Sequence, residues 1–113
     1  MFYHVKDLQF NARVSRPDPR FARILLEAFG GANGELTSAL QYFVQAFSCH
    51  NPFPDKYDML MDIATEELAH LEMVSTIVHQ LTRGLSMEEI EKSGFGPYYI
   101  DHTVGVWPQA AGG

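Results

Sequence analysis

The sequence predicts an all-α protein built on two long helices that fold back on each other. Apolar residues recur at intervals of three and four along residues 18–50 and again along 55–83, which is the spacing of one helix face. Between them, "HNPFPD" holds two prolines, which cannot lie in a helix interior. Because this connection is short, we expect antiparallel neighbours within one domain spanning residues 1–113.

The first helix is predicted to begin at Asp18, which can cap its free N–H groups, with Pro19 in the first turn. Glu35 lies in the middle of its apolar face, among glycine and alanine residues that leave room beside it. The predicted face consists of Phe21, Leu25, Ala28, Ala32, Glu35, Ala39, Tyr42 and Ala46.

The second helix is predicted to begin at Asp55 and to end near Arg83, before a glycine. Its apolar face consists of Leu60, Ile63, Glu67, His70, Val74, Ile77 and Leu81. The capping box "SMEE" indicates one short further helix, and residues 84–113 otherwise read as a loop-rich tail.

Three polar residues are expected to meet inside the hairpin. If the connection centres near residue 52, Glu35 lies opposite His70, and Glu67 lies one turn away on the same face as His70. Buried carboxylates without a partner are costly, and neither face offers a lysine or arginine at this level. A bound cation is the simplest partner, so Glu35, Glu67 and His70 are predicted metal ligands.

Two further residues are candidates for supporting roles beside these ligands. Glu66 points away from the apolar face and lies next to Glu67. Two interpretations of Tyr42 stay open: its side chain packs in the core, or its hydroxyl group is directed towards the site. The other four histidines are interpreted as surface or loop residues, because none shares a face with a suitably spaced carboxylate.

Composition narrows the possible partners and locations. With 8 basic and 14 acidic residues and a net charge of −6, the chain shows no basic cluster, so we expect no nucleic-acid partner. No apolar run is long enough for a membrane span, and the single cysteine suits a reducing compartment. The expectation is a soluble cytoplasmic protein.

Two stretches of the sequence resemble a known family. "MFYHVKDLQFNARVSRPDPRFARILLEAFGGANGEL" and "DKYDMLMDIATEELAHLEMVSTIV" are similar to the N-terminal half of the manganese catalases, including their spore-coat branch. The resemblance implies a ferritin-like fold, two manganese ions and disproportionation of hydrogen peroxide. It also implies that Glu35 binds one metal, that Glu67 bridges both as the catalytic carboxylate, and that His70 binds the first metal. A tyrosine near the family's site matches Tyr42.

The chain departs from the family pattern after His70, because no second Glu-x-x-His follows. A homodimer, or a higher homo-oligomer, would close a four-helix bundle and provide four carboxylates and two imidazoles. The competing interpretation is a truncated chain. Two other functions remain open: a structural spore-coat protein with a vestigial site, and a ferritin-like protein that oxidises iron, since oxygen and imidazole ligands admit iron as well as manganese.

Overall fold

The computed structural model describes residues 3–94, which form four helices. Helix α1 spans Pro19–Gly30, α2 spans Glu35–Cys49, α3 spans Pro54–Thr82 and α4 spans Met87–Lys92. None of the helices within the described range combines the length and apolar character that a bilayer span requires. The all-α prediction is confirmed, while the part of the predicted tail beyond residue 94 lies outside the described residues.

Helices α2 and α3 form the predicted antiparallel hairpin. Near the connection, the rings of Phe47 on α2 and Tyr57 on α3 have centroids 5.9 Å apart. At the far end of α2, Glu35 lies beside His70, well along α3. Tight pairing is possible because the α2 residues facing α3 include Ala39 and Ala46, both fully buried, and α3 contributes the buried Ala64.

The prediction of one continuous helix over residues 18–50 is wrong. The chain leaves the helix after Gly30 and re-enters it at Glu35, because the intervening sequence is rich in glycine, which has low helix propensity. Close backbone approach also requires glycine here: a methyl group at Gly34 would lie 2.8 Å from the carbonyl oxygen of Glu27. The turn is closed by the Thr37 hydroxyl, which donates to the Gly31 carbonyl at 2.8 Å.

The interruption also changes which face of α1 is buried. Phe21, predicted on the inner face, is 48% exposed, whereas its neighbour Ala22 and Leu26 are buried. Ala32, also predicted on that face, lies in the turn and is exposed. The physical reason is that the turn interrupts the helix. The spacing of apolar residues along α2 therefore does not determine which side of α1 faces the core.

The ends of the helices follow the capping chemistry closely. Asp18 caps α1 by accepting from the backbone N–H of Phe21 at 3.0 Å, as predicted. Helix α3 begins at Pro54, one residue before the predicted Asp55, because proline is tolerated at the first helical position. The predicted capping box at Ser86 and Glu89 is present and starts α4.

The core lies where α1 and α4 pack against the C-terminal half of α3. It is an apolar cluster centred on five buried side chains, Ala22, Leu26, Val78, Leu81 and Ile90. The backbone N–H of Asp18 donates to the Leu81 carbonyl at 2.8 Å, which fixes the start of α1 against α3. This core therefore anchors the half of α3 that follows the candidate site.

Helix α2 carries a row of apolar side chains on its outer surface. The row, called the α2 stripe below, consists of Leu36, Leu40, Val44 and Phe47, all exposed. Their spacing of four, four and three places them along one side of the helix. An exposed apolar row of this kind is typical of a surface that contacts another protein.

Candidate metal centre

Three donor side chains meet between α2 and α3. Glu35 comes from the first turn of α2, and Glu67 and His70 come from the middle of α3. His70 Nδ1 lies 3.5 Å from Glu35 Oε2 and 3.6 Å from Glu67 Oε1. One donor atom from each residue falls within 4.8 Å of the others, and no second such group of three occurs among residues 3–94.

Local structure explains why these three residues meet. The spacing of three residues places Glu67 and His70 on the same face of α3. The glycine turn makes Glu35 the first residue of α2, and the antiparallel pairing brings that end of α2 to the level of His70. The convergence inferred from the sequence is therefore present, although Glu35 lies at a helix start and not in a helix middle.

The electrostatics of the group favour a cation. The pKa of Glu67 is raised from its ordinary value of 4.5, mainly because its carboxyl group hydrogen-bonds with that of Glu35. Burial and the negative charges of Glu35 and Glu66 raise this pKa further, and only His70 opposes the shift. Two carboxyl groups this close disfavour two negative charges, and a bound cation would relieve that repulsion.

In the described part of the chain, no lysine or arginine forms an ion pair with the carboxylates of Glu35 and Glu67. Within residues 3–94, the ion pairs of Glu35 and Glu67 involve only His70. The side chain of Glu67 is 17% exposed, whereas those of Glu35 and His70 are about twice as open to solvent. Two carboxylates and one imidazole on a partly open face suit a divalent ion of the manganese or iron type.

Glu66 lies beside the group on its outer side. Its Oε1 atom is 3.8 Å from His70 Nε2 and accepts a hydrogen bond from Gln9 Nε2 at 3.2 Å. Tyr42 is half-buried on α2, seven residues after Glu35 and on the same side of the helix. The supporting role of Tyr42 at the site stays a prediction.

Sequence reasoning missed two residues of the N-terminal segment. Gln9 contacts Glu66, and His4, interpreted from the sequence as a surface or loop residue, is exposed and pairs through Nε2 with Glu72. Both contacts join positions more than fifty residues apart, so no local spacing indicates them. They show that the N-terminal segment lies along the outer side of α3, next to the candidate centre.

The fold and the donor set define the class of protein. An antiparallel hairpin with a glutamate on one helix and Glu-x-x-His on the next is half of the ferritin-like carboxylate arrangement. The family model for manganese-containing catalase matches residues 1–106. The chain belongs to the manganese-containing catalase family.

Individual relatives agree with this assignment. The chain is 40% identical to Protein CotJC of Bacillus subtilis over its whole length, and 42% identical to Manganese catalase of Bacillus subtilis over 86% of its length. It matches the crystal structure of KatB, a manganese catalase from Anabaena PCC7120, with a TM-score of 0.74 and 45% identity over 82% of the chain.

These matches cover only part of each relative. The chain spans 58% of CotJC, 35% of the Bacillus subtilis manganese catalase and 42% of the KatB chain. The matches show the family and the helical fold, and the chain spans less than two thirds of each of these relatives.

Proposed function

We propose that this chain provides one half of a two-manganese centre that disproportionates hydrogen peroxide to water and oxygen. The observation that carries the proposal is the meeting of Glu35, Glu67 and His70 within 4.8 Å. Membership of the manganese-containing catalase family supports manganese and peroxide as the metal and the substrate. In this proposal Glu35 and His70 bind one metal, and Glu67 bridges both.

The donor chemistry of the chain fits such a centre. When bound, a pair of manganese ions supplies a two-electron redox change, so one peroxide can be reduced to water and a second oxidised to oxygen. The residues of the chain would hold the ions: Glu35 and His70 would bind one ion, and the Glu67 carboxylate, as the bridge, would keep the two ions together.

The three donors are half of the set that a ferritin-like two-metal site uses. We propose that a second copy of the hairpin, related by a two-fold axis, supplies the other half. Four carboxylates would then balance the charge of two divalent ions. A second pair of helices in a longer form of the chain would serve the same purpose.

Self-association is supported by the surface of the hairpin. The α2 stripe is exposed along its whole length, with Val44 70% exposed. Burial of such a row contributes roughly 25 cal/mol for each Å² removed from water, against which the lost translational and rotational freedom of association counts. A closed two-fold assembly would bury the same stripe of both copies.

The proposal is tested by the metal content and the peroxide reaction of the purified protein. Glu67→Ala should lose most of the bound manganese and the oxygen release from peroxide, because its loss removes a ligand from both ions. Glu91→Ala serves as a control, since Glu91 is an exposed acid on α4. Consumption of Fe(II) without oxygen release from peroxide would instead support iron oxidation. A folded protein that binds neither metal would support a structural role.

A further inference from the structure

The N-terminal segment crosses the end of α3 as a short arch, residues 15–17, that is fixed on both sides. Before the arch, the backbone N–H of Val14 donates to Gln80 Oε1 at 3.0 Å. After it, the backbone N–H of Asp18 donates to the Leu81 carbonyl at 2.8 Å. The arch therefore spans two points that are both held against the last turns of α3.

A cavity of about 250 Å³ lies between the arch and the end of α3. Within residues 3–94, no aspartate or glutamate lines it, so Arg16 and Arg83 make its lining positively charged. The fold thus brings together two arginines from distant parts of the sequence. The cavity is partly open to solvent, and its walls are formed by Val14, Ser15, Arg16, Pro17, Gln80 and Arg83.

A larger cavity of about 490 Å³ adjoins the first, and Arg16 lines both. The larger cavity adds Arg20 and Lys92, but also the acids Asp18 and Glu89. Both acids accept hydrogen bonds from backbone N–H groups at the starts of their helices. Because its charges are mixed, the larger cavity is less selective for an anion than the smaller one.

The arginines of this region are not neutralised by the described part of the chain. Every ion pair within residues 3–94 is formed by a histidine or by Lys92. A guanidinium group presents N–H donors in a planar fork that matches the oxygen atoms of an oxyanion. Two exposed arginines on mobile backbone would simply stay hydrated. Here Arg16 belongs to the fixed arch and Arg83 directly follows α3, which lowers the entropy cost of binding one anion with both.

We propose that the smaller cavity binds an oxyanion of the phosphate or sulfate type between Arg16 and Arg83. The two positive charges match a doubly charged anion, and the Ser15 hydroxyl in the cavity wall is a further donor. The bound anion would link the arch to the end of α3 and so stabilise this end of the molecule. The inference uses none of the proposed metal ligands, so it stands or falls separately from the proposed function.

Calorimetric titration of the purified protein with inorganic phosphate, at constant ionic strength set by sodium chloride, gives the first test. Wild type should show a single saturable site. Arg16→Gln and Arg83→Gln should each weaken binding about tenfold or more, since each removes a charged hydrogen-bond donor. Arg13→Gln is the matched control, because Arg13 is an exposed arginine of the same segment that lines neither cavity. No saturable binding, or equal affinity in all four proteins, would overturn the inference.

Thermal melting with phosphate gives the second test and detects a variant that fails to fold. Phosphate stabilises many proteins merely by being excluded from their surface, so the gain in melting temperature has to be compared between proteins at the same concentration. Wild type and Arg13→Gln should gain more than Arg16→Gln and Arg83→Gln. An equal gain in all four would identify a general salt effect and overturn the inference.

A phosphate ester distinguishes the two sources of the anion. Glycerol 1-phosphate should bind with the affinity of inorganic phosphate if the site takes the free ion. Tighter binding of the ester that is lost in Arg20→Gln would show that the adjoining cavity holds an organic group, and that the site takes a phosphorylated molecule. An ester whose binding does not depend on Arg16 or Arg83 would contradict the site.

Discussion

Glu35 and His70 lie on different helices, yet Glu35 Oε2 is 3.5 Å from His70 Nδ1. The first residue of α2 thus meets the middle of α3, where Glu67 adds a second carboxylate. This contact depends on both the glycine turn that starts α2 and the short connection that sets the antiparallel register.

Removal of Glu67 should stabilise the metal-free protein. In Glu67→Ala, the repulsion between two carboxylates and the desolvation of one of them are lost. We expect the free energy of unfolding of the metal-free form to rise by about 1 kcal/mol, above the ~0.5 kcal/mol of an ordinary surface substitution.

The measurement is thermal melting of wild type, Glu67→Ala and the Glu91→Ala control, each with chelator and with Mn(II). Only wild type and the control should gain stability from Mn(II), because a ligand stabilises only a fold that binds it. Equal melting temperatures in wild type and Glu67→Ala, with and without chelator, would contradict the metal site.

The stability of the metal-free protein should depend on pH through Glu67. Its pKa in the folded state is raised above the ordinary 4.5, so the folded protein binds this proton more tightly than the unfolded chain. The resulting destabilisation is absent below pH 4.5 and grows as the pH rises through the raised pKa.

Urea unfolding of metal-free wild type and Glu67→Gln across this pH range isolates the effect. The difference in unfolding free energy between the variant and wild type should grow in favour of the variant as the pH rises. A constant difference would show that Glu67 has the same pKa in the folded and the unfolded protein.

The turn before α2 should be essential for the site and not only for stability. In Gly34→Ala, the added methyl group would lie 2.8 Å from the Glu27 carbonyl oxygen and 2.9 Å from that of Ala28. The turn must open, which should cost about 1–3 kcal/mol and displace Glu35. Manganese affinity should therefore fall together with the melting temperature.

Gly84→Ala provides the control for this prediction. Gly84 has a φ of +73°, so alanine is strained there, but a methyl group meets no atom within 4 Å. This variant should lose about 1 kcal/mol and keep its manganese affinity. If both variants lost affinity in proportion to stability, the turn would have no specific role in placing Glu35.

The α2 stripe should be buried when the protein self-associates. Leu40→Glu places a charge in the stripe and should shift sedimentation towards the monomer, whereas Gln41→Glu, on the neighbouring exposed position, should not. Both substitutions add one negative charge to the same turn of α2. An unchanged oligomer in Leu40→Glu would exclude the stripe as the interface.

The sequence was sufficient to predict the hairpin and its register. Spacings of three and four residues, with a proline-rich connection, aligned Glu35 with His70 correctly. The break between α1 and α2 was missed because apolar periodicity continues through "AFGGANGEL", and spacing alone does not reveal a change of direction. The helix ends and restarts in this stretch because it is rich in glycine and because its backbone segments approach closely.

Residue spacing does not predict the contacts of the N-terminal segment either, and the cause is different. Gln9 and Glu66 are separated by 57 positions, and their hydrogen bond depends on the path of a segment without helix or strand. Periodicity predicts which face of a helix is covered, but it does not say which distant polar group covers it.

The most direct test of the two-manganese proposal is the number and magnetic coupling of bound ions. The self-associated protein, loaded with Mn(II) and freed of excess metal, should contain about one manganese ion per chain. Its low-temperature electron paramagnetic resonance spectrum should show a spin-coupled pair, and His70→Ala should lose that spectrum. A folded, self-associated wild type that gives only the six-line signal of isolated Mn(II), unchanged in His70→Ala, would contradict the proposal.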